Sequence, residues 1–174
     1  LLKVIVESLK QVKEYCRVTR VIRDIPSTDI VFGNKLTNFR QIAEEYLDKN
    51  KVDLNEIRSR EIKNQAFENT KIKLKTTKYR TQISTEYFLQ FVTNNNSILG
   101  FLRLSIPKNP TNNFIEELKN ASIIREIHVY GESVNIGIKS NHKAQHRGLG
   151  KQLIEKAEQI SVKNGLTKMN VISS

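Results

Sequence analysis

The sequence predicts an α/β protein whose larger part is a mixed, mostly antiparallel sheet with flanking helices, and three stretches carry that prediction. The runs TEYFLQFV and SILGFLRLSI are strand-like and are joined by Asn94, Asn95 and Asn96, residues that tolerate the positive φ of a tight hairpin, so they should pair antiparallel. The run SIIREIHVY alternates over a full strand length, with Ile123, Arg125, Ile127 and Val129 opposing Ile124, Glu126, His128 and Tyr130. AQHRGLGKQLIEKAEQI, residues 144–160, then leads a glycine-bearing turn into an amphipathic helix.

Taken in order, residues 2–14 place Leu2, Ile5, Leu9 and Val12 at helical spacing with lysines opposite, which predicts a first helix. CRVTRVIRDIP interleaves β-branched residues with Arg17, Arg20 and Arg23 until Pro26 stops it, the pattern of a strand with a basic side. TNFRQIAEEYLDKN follows as a second helix, with Thr37 as its N-cap and Phe39, Ile42, Ala43, Tyr46 and Leu47 on one face. This helix, strand, helix order suits the tail of an α/β domain. Over residues 51–65 the periodicity loosens, and the domain junction is placed there, dividing 1–65 from 66–174.

KIKLKTTKYR sets Ile72 and Leu74 against Lys71, Lys73 and Lys75 at period two, as a half-exposed strand does. Beyond the hairpin, IPKNPTNNF is a loop with two prolines. The long helix runs from about Gly148 to Asn164, burying Leu149, Leu153, Ala157 and Ile160, and closes at Gly165. LTKMNVISS reads as one more strand, and the chain ends inside it.

The length of 174 residues suits one sizeable domain with a piece of another, and the absence of a leading methionine suggests a start inside a longer protein. No apolar run approaches the ~18 residues of a spanning helix, so no membrane partner is expected. A single cysteine, Cys16, rules out an internal disulfide and points to a reducing, cytoplasmic setting. The net charge of +11, from 29 basic against 18 acidic residues, favours a polyanionic partner over a merely solubilising surface.

The chemistry concentrates at the glycine turn. The first amides of a helix have no intrahelical acceptor, and the dipole adds roughly half a positive charge there. Gln145, Arg147, Gly148 and Gly150 stand at that entrance: arginine offers an ionic contact, and the glycines lack the Cβ atoms that would hold a phosphate away. A turn of this kind serves close packing as readily as ligand binding. His142 and His146 flank it, His146 as a further phosphate contact.

Hairpin, long strand, basic turn and helix in this order resemble the GCN5-related N-acetyltransferase fold, here in incomplete form, in which acetyl-CoA lies beside the fourth strand with its pyrophosphate on the turn. REIHVYG, SVNIGIKSNHKAQHRGLGKQLIEKAE and ILGFLRL further resemble the acetyltransferase domain of the Elongator catalytic subunit family. RVIRDIP and EIRSREI are similar to the end of that family's radical S-adenosylmethionine domain and the linker after it. The resemblance implies a tRNA uridine(34) acetyltransferase that uses acetyl-CoA to form a 5-carboxymethyl group on the wobble uridine. It also implies S-adenosylmethionine and a 4Fe-4S cluster in the full-length protein.

Carried onto these residues, the likeness assigns the pyrophosphate to Gln145, Arg147, Gly148, Leu149, Gly150 and Lys151, and the pantetheine to Glu126, Ile127, His128 and Val129. Glu126 and His128 are the candidate catalytic groups, each with a plain structural alternative: an ion pair for the one, a packed or exposed strand histidine for the other. For tRNA the candidates are Arg17, Arg20, Arg23, Arg58, Arg60, Lys71, Lys73, Lys75, Lys78 and Arg80, with Tyr79 and Phe88 available to stack on bases.

The sequence also departs from the family. One cysteine cannot hold a cluster that needs three, and near Asn55 the cysteines that bind a structural zinc in relatives are missing, so no metal is expected. The chain stops before the family's paired tyrosines, which points to a domain truncated at its fifth strand, inactive by itself. Further Elongator subunits or a homodimer are implied as partners. A stand-alone acetyltransferase acting on protein lysine or a small amine, and a non-catalytic RNA-binding or assembly module, remain the alternative readings.

Overall fold

In a computed structural model the described residues are 1–21, 26–33, 35–36, 38–62, 71–130 and 148–172. The chain divides into two compact units, Leu1–Arg60 and Glu61–Ser174.

The first unit is built on helices α1 (Leu2–Gln11), α2 (Phe39–Lys49) and the single turn α3 (Ile57–Arg60). Ile5, Val6 and Leu9 of α1 pack with Phe39, Ala43 and Leu47 of α2, a stripe at spacings of three and four on each helix. The first helix is shorter than the sequence suggested, because Val12 turns extended and bonds back to Leu9. Tyr46 does not join the buried face of α2 and stays 47% exposed. The expected N-cap Thr37 lies outside the described residues, and Asn38 occupies the cap position.

The expected strand after Cys16 is corrected. Among the described residues of this unit there is no strand, and residues 16–21 are irregular. Their backbone groups are taken by residues distant in sequence. Val18 N–H donates to Glu56 Oε2 (3.0 Å), Arg40 Nη1 donates to Val18 O (2.5 Å), Arg58 Nη1 donates to Thr19 O (3.0 Å), and Ile57 N–H donates to Cys16 O (2.9 Å). A backbone satisfied in this way has no need of a neighbouring strand.

The second unit is a five-stranded sheet in the order β1-β2-β3-β4-β5: β1 (Lys73–Arg80), β2 (Ser84–Val92), β3 (Ile98–Pro107), β4 (Ala121–Val129) and β5 (Lys168–Val171). The first four strands pair antiparallel, and β5 joins β4 in parallel through helix α4 (Leu149–Lys163). The hairpin turns where the asparagines predict it: Asn96 takes φ 65°, and its N–H closes onto Thr93 O (3.0 Å).

Leu149, Leu153 and Ala157 of α4 bury against Leu89, Phe91, Leu102, Leu104 and Ile124 of the sheet. The stripe continues to Ser161, whose hydroxyl meets that of Ser122 at 2.8 Å inside the core. The helix ends as expected at Gly165, in the left-handed region at φ 77°. Leu166 N–H reaches Ser161 O and Gly165 N–H reaches Val162 O, the paired bonds of a Schellman cap.

The single alternation read over β4 is corrected. The β3–β4 register shifts between Arg103 and Leu104, pairing Arg103 with Glu126 but Leu104 with Ile124, so Arg125 is an extra residue in a β-bulge. As a result Ile124 shares the helix-facing core with Ile127 and Val129 rather than opposing them.

Candidate acyl-donor site

Gly148 caps α4 at φ 64° and ψ 25°, a conformation that costs a residue with a Cβ about 1–2 kcal/mol. The first intrahelical bond of the turn is Gln152 N–H onto Gly148 O (3.0 Å). The amides of Leu149, Gly150 and Lys151 therefore precede it and point out of the helix end, where the dipole is positive.

A Cβ placed on Gly148 would meet nothing within 4 Å, and one on Gly150 would touch only Val129 Cγ2 at 3.6 Å, an ordinary contact. Packing among the described residues thus leaves Gly150 free to be alanine. Leu149 turns its side chain into the core and can offer only its amide, whereas Lys151 is exposed. Gln145, Arg147, His142 and His146 lie outside the described residues.

The 3.6 Å approach sets the start of α4 beside the end of β4. Among the described residues strand β5 pairs with β4 from Ala121 to Ile124, and Ile172 N–H bonds to Ile124 O (3.1 Å). From Arg125 to Val129 the edge of β4 that faces away from β3 has no strand partner among the described residues. An open strand edge of this kind accepts an extended amide chain by continuing the ladder.

Four of the assigned residues occupy that edge. Ile127 and Val129 turn towards the helix-side core, and Glu126 and His128 to the opposite face. Glu126 pairs with Arg103 of β3 and not with its neighbour Arg125, its Oε2 standing 2.9 Å from Arg103 Nε without the alignment of a hydrogen bond. The Arg103 guanidinium also lies over the rings of Phe88 (5.9 Å) and Phe101 (5.8 Å).

His128 is exposed, with its ring 4.4 Å from that of Tyr130, whose hydroxyl donates to Glu61 Oε1 (2.9 Å). The close β3–β4 approach needs a glycine. A Cβ on Gly100 would lie 3.0 Å from His128 O and 3.2 Å from Val129 Cγ2.

The basic residues assigned to nucleic acid do not form one set. Arg60 is only 7% exposed and spends its guanidinium on Asn55 O (2.7 Å) and Glu14 O (2.9 Å), so it is not a surface cation. Burial lowers its pKa, against the opposing pull of Glu14 and Glu56. Arg17, Arg20 and Arg58 are exposed, and Arg23 lies outside the described residues.

In the second unit Lys71 is exposed just ahead of β1, while Lys73 and Lys75 pair across from Val92 and Gln90, and Lys78 and Arg80 from Tyr87 and Thr85. Alternation therefore sends Lys73 and Lys75 to one side of the strand and Lys78 and Arg80 to the other. Lys78 Nζ sits 5.3 Å from the centroid of the Tyr87 ring. Tyr79 is half-buried, but Phe88 is 1% exposed and packs on Phe101, which removes it as a stacking platform for bases.

Sequence reasoning missed Glu86, which is 3% exposed and accepts hydrogen bonds from Ser84 and Ser105 at 2.6 Å each. An acidic residue in the otherwise acid-free run Ser84–Val92 was the available signal.

The model of the acetyltransferase (GNAT) family matches residues 52–173. The chain belongs to that family. It is 32% identical, over 85% of its length, to a tRNA uridine(34) acetyltransferase of Methanocaldococcus jannaschii, covering 28% of that protein. To Elongator complex protein 3 of Drosophila melanogaster it is 34% identical over 99% of its length, covering 32% of that relative.

Among solved structures it resembles the archaeal Elp3 of Methanocaldococcus infernus with an N-terminal deletion, at TM-score 0.77 and 28% identity, over 98% of this chain and 42% of that one. The chain therefore spans about a third of the length of the curated relatives it matches. The five-stranded mixed sheet with its flanking helix is the GNAT sheet that the sequence predicts. Among the described residues no helix is long and apolar enough to cross a membrane.

Proposed function

We propose that the whole protein is an acetyl-CoA-dependent acyltransferase that modifies uridine 34 of tRNA, and that this chain supplies its acyl-donor site. The observation that carries this reading is the edge Arg125–Val129, without a strand partner among the described residues, beside the first-turn amides of α4, which precede its first intrahelical bond. The pantetheine amides continue the β4 ladder along Glu126–Val129. The pyrophosphate rests on the amides of Leu149, Gly150 and Lys151, with Gln145 and Arg147 adding side-chain contacts. Acetyl-CoA supplies an activated two-carbon acyl group, and Glu126 and His128 are the groups available to hold or move a proton near it.

In this reading residues 1–65 are the end of a radical S-adenosylmethionine domain with its linker, and 66–174 form the acetyltransferase domain. The cofactor S-adenosylmethionine and the 4Fe-4S cluster belong to other parts of the protein, and the product is the 5-carboxymethyl group. The tRNA backbone is met by cations from Arg17, Arg20, Arg23, Arg58, Lys71, Lys73, Lys75, Lys78 and Arg80. Other Elongator subunits or a second copy are partners of the same reading, in a cytoplasmic setting.

Gly150→Ala in the full-length protein tests it. The fold has room for the methyl group, and alanine raises helix stability by about 0.5–1 kcal/mol, so the melting temperature holds or rises. Calorimetric affinity for acetyl-CoA falls at least about tenfold, a change of ~1.4 kcal/mol. Unchanged affinity would end the phosphate-cradle assignment. For RNA, affinity for an anticodon stem-loop should drop steeply across a salt series, and a flat, weak response would remove tRNA from the proposal.

A further inference from the structure

The bulge at Arg125 falls one residue beyond Ile124, the last β4 residue that pairs with β5 among the described residues. A bulge places two consecutive side chains on one face, and here they are Arg125 and Glu126. They are held in different ways. Glu126 meets Arg103 on the adjoining strand, whereas Arg125 Nη1 reaches past β3 to Glu86 Oε2 on β2, at 3.4 Å.

Glu86 is built for that task. Its carboxylate is buried, and both serines that flank it donate to Oε1, Ser84 from the same strand and Ser105 from β3. Ser84 is fixed in turn, its Oγ standing 2.7 Å from Thr81 Oγ1 and its N–H donating to that oxygen (3.0 Å). With Oε1 held by two hydroxyls, Oε2 faces the guanidinium. Arg125 remains 51% exposed at its side chain, so the anchor is the buried acid and the anchored group is the bulge residue.

A buried carboxylate is costly unless it is paired and hydrogen-bonded, and this one is outside the set assigned to acyl-donor binding. Its effect is on register. With Arg125 pinned as the extra residue, Ile124 and Ile127 both face the helix-side core and Glu126 and His128 both face away. Removing the bulge would move Glu126–Val129 by one residue relative to β3 and reverse every side chain at the open edge.

We propose that Glu86 is a positioning residue: acting through Arg125, it fixes the β-bulge that presents the Glu126–Val129 edge to the amide chain of the acyl donor. The inference rests on the reading of that edge as the pantetheine site.

The test compares Glu86→Gln, Arg125→Gln and the double variant with Arg125→Lys, which keeps the cation, in the full-length protein. Acetyl-CoA affinity is measured by calorimetry, and hydrogen exchange of the peptide spanning residues 121–130 is measured without ligand. Each glutamine variant should bind about tenfold more weakly, the double variant no worse than either single one, and Arg125→Lys close to the parent. Exchange at 126–129 should accelerate in the glutamine variants before any ligand is added. If Glu86→Gln does not fold, the half-exposed Arg125→Gln gives the answer alone.

Unchanged exchange at 126–129 in the folded variants overturns the clamp, as does an affinity loss in the double variant equal to the sum of the two single losses. A parent protein that does not bind acetyl-CoA overturns the acyl-donor reading instead, and the ligand-free exchange data still decide whether Glu86 holds the bulge.

Discussion

In the unit Leu1–Arg60 the segment after Cys16 is held largely by side chains distant in sequence, whereas in Glu61–Ser174 the strands are held by one another. Glu56 shows the first strategy. With no exposed surface, it accepts from Val18 N–H, Arg58 N–H, Ser59 N–H, Ser59 Oγ and Arg40 Nη2, organising three segments around one carboxylate. The sheet shows the second, with strand ladders over a core of Leu89, Leu102, Leu104, Ile124 and Leu153. A ladder distributes its hydrogen bonds over many residues. The first unit concentrates its own on a few ions, so it should be the more sensitive to a single change of charge.

The sharpest way to break that contrast is Glu56→Ala, which takes this acceptor from Arg40 Nη2, Ser59 Oγ and three backbone amides. Loss of one partner from a buried pair costs about 3–5 kcal/mol. Urea unfolding followed by hydrogen exchange of the α1 and α2 peptides should show the first unit opening early while the sheet peptides keep their parental midpoint; simultaneous loss of both would refute the separation. Next is Gly100→Ala, where the new methyl group meets the backbone oxygen of His128 at 3.0 Å. Overpacking of this kind costs about 1–3 kcal/mol, and the effect should appear as a lower melting temperature of the second unit alone. Gly165→Ala, forcing a Cβ into the left-handed region at φ 77°, should cost about 1 kcal/mol, read as faster exchange in the last turn of α4.

The gentlest perturbation is acid. Burial raises the Glu56 pKa, but the bonds from Val18, Ser59, Arg40 and Arg58 outweigh it and hold the group below its ordinary value of 4.5. Its contribution is therefore complete above 4.5 and is lost as the pH falls through the lower folded-state value. The amide resonances of Val18 and Ser59 should titrate with a midpoint below 4.5, and a midpoint above it would contradict the assignment.

The same contrast explains what could be read in advance. Helix α4, the asparagine hairpin and the Gly165 cap are local, and spacing or a single φ requirement reveals them. The segment after Cys16 has the composition of a strand, yet its backbone partners lie on Arg40, Glu56 and Arg58, far along the chain. The bulge at Arg125 was hidden for a related reason: it arises from how β4 registers against β3, and no window confined to SIIREIHVY contains that information. Of the candidate acyl-donor site, the strand β4 and the left-handed Gly148 at the start of α4 follow from local sequence. The edge Arg125–Val129, without a strand partner among the described residues, does not, because it depends on how β4 registers with its neighbours.

Strand β1 carries a consequence for the proposed contact with nucleic acid. Lys73 and Lys75 point to one side of the rim of the sheet, and Lys78 and Arg80 to the other. A flat polyanion laid against either surface reaches one pair and misses its counterpart. A phosphate chain that engages all four must fold around the margin, as a cord passes over the lip of a shelf.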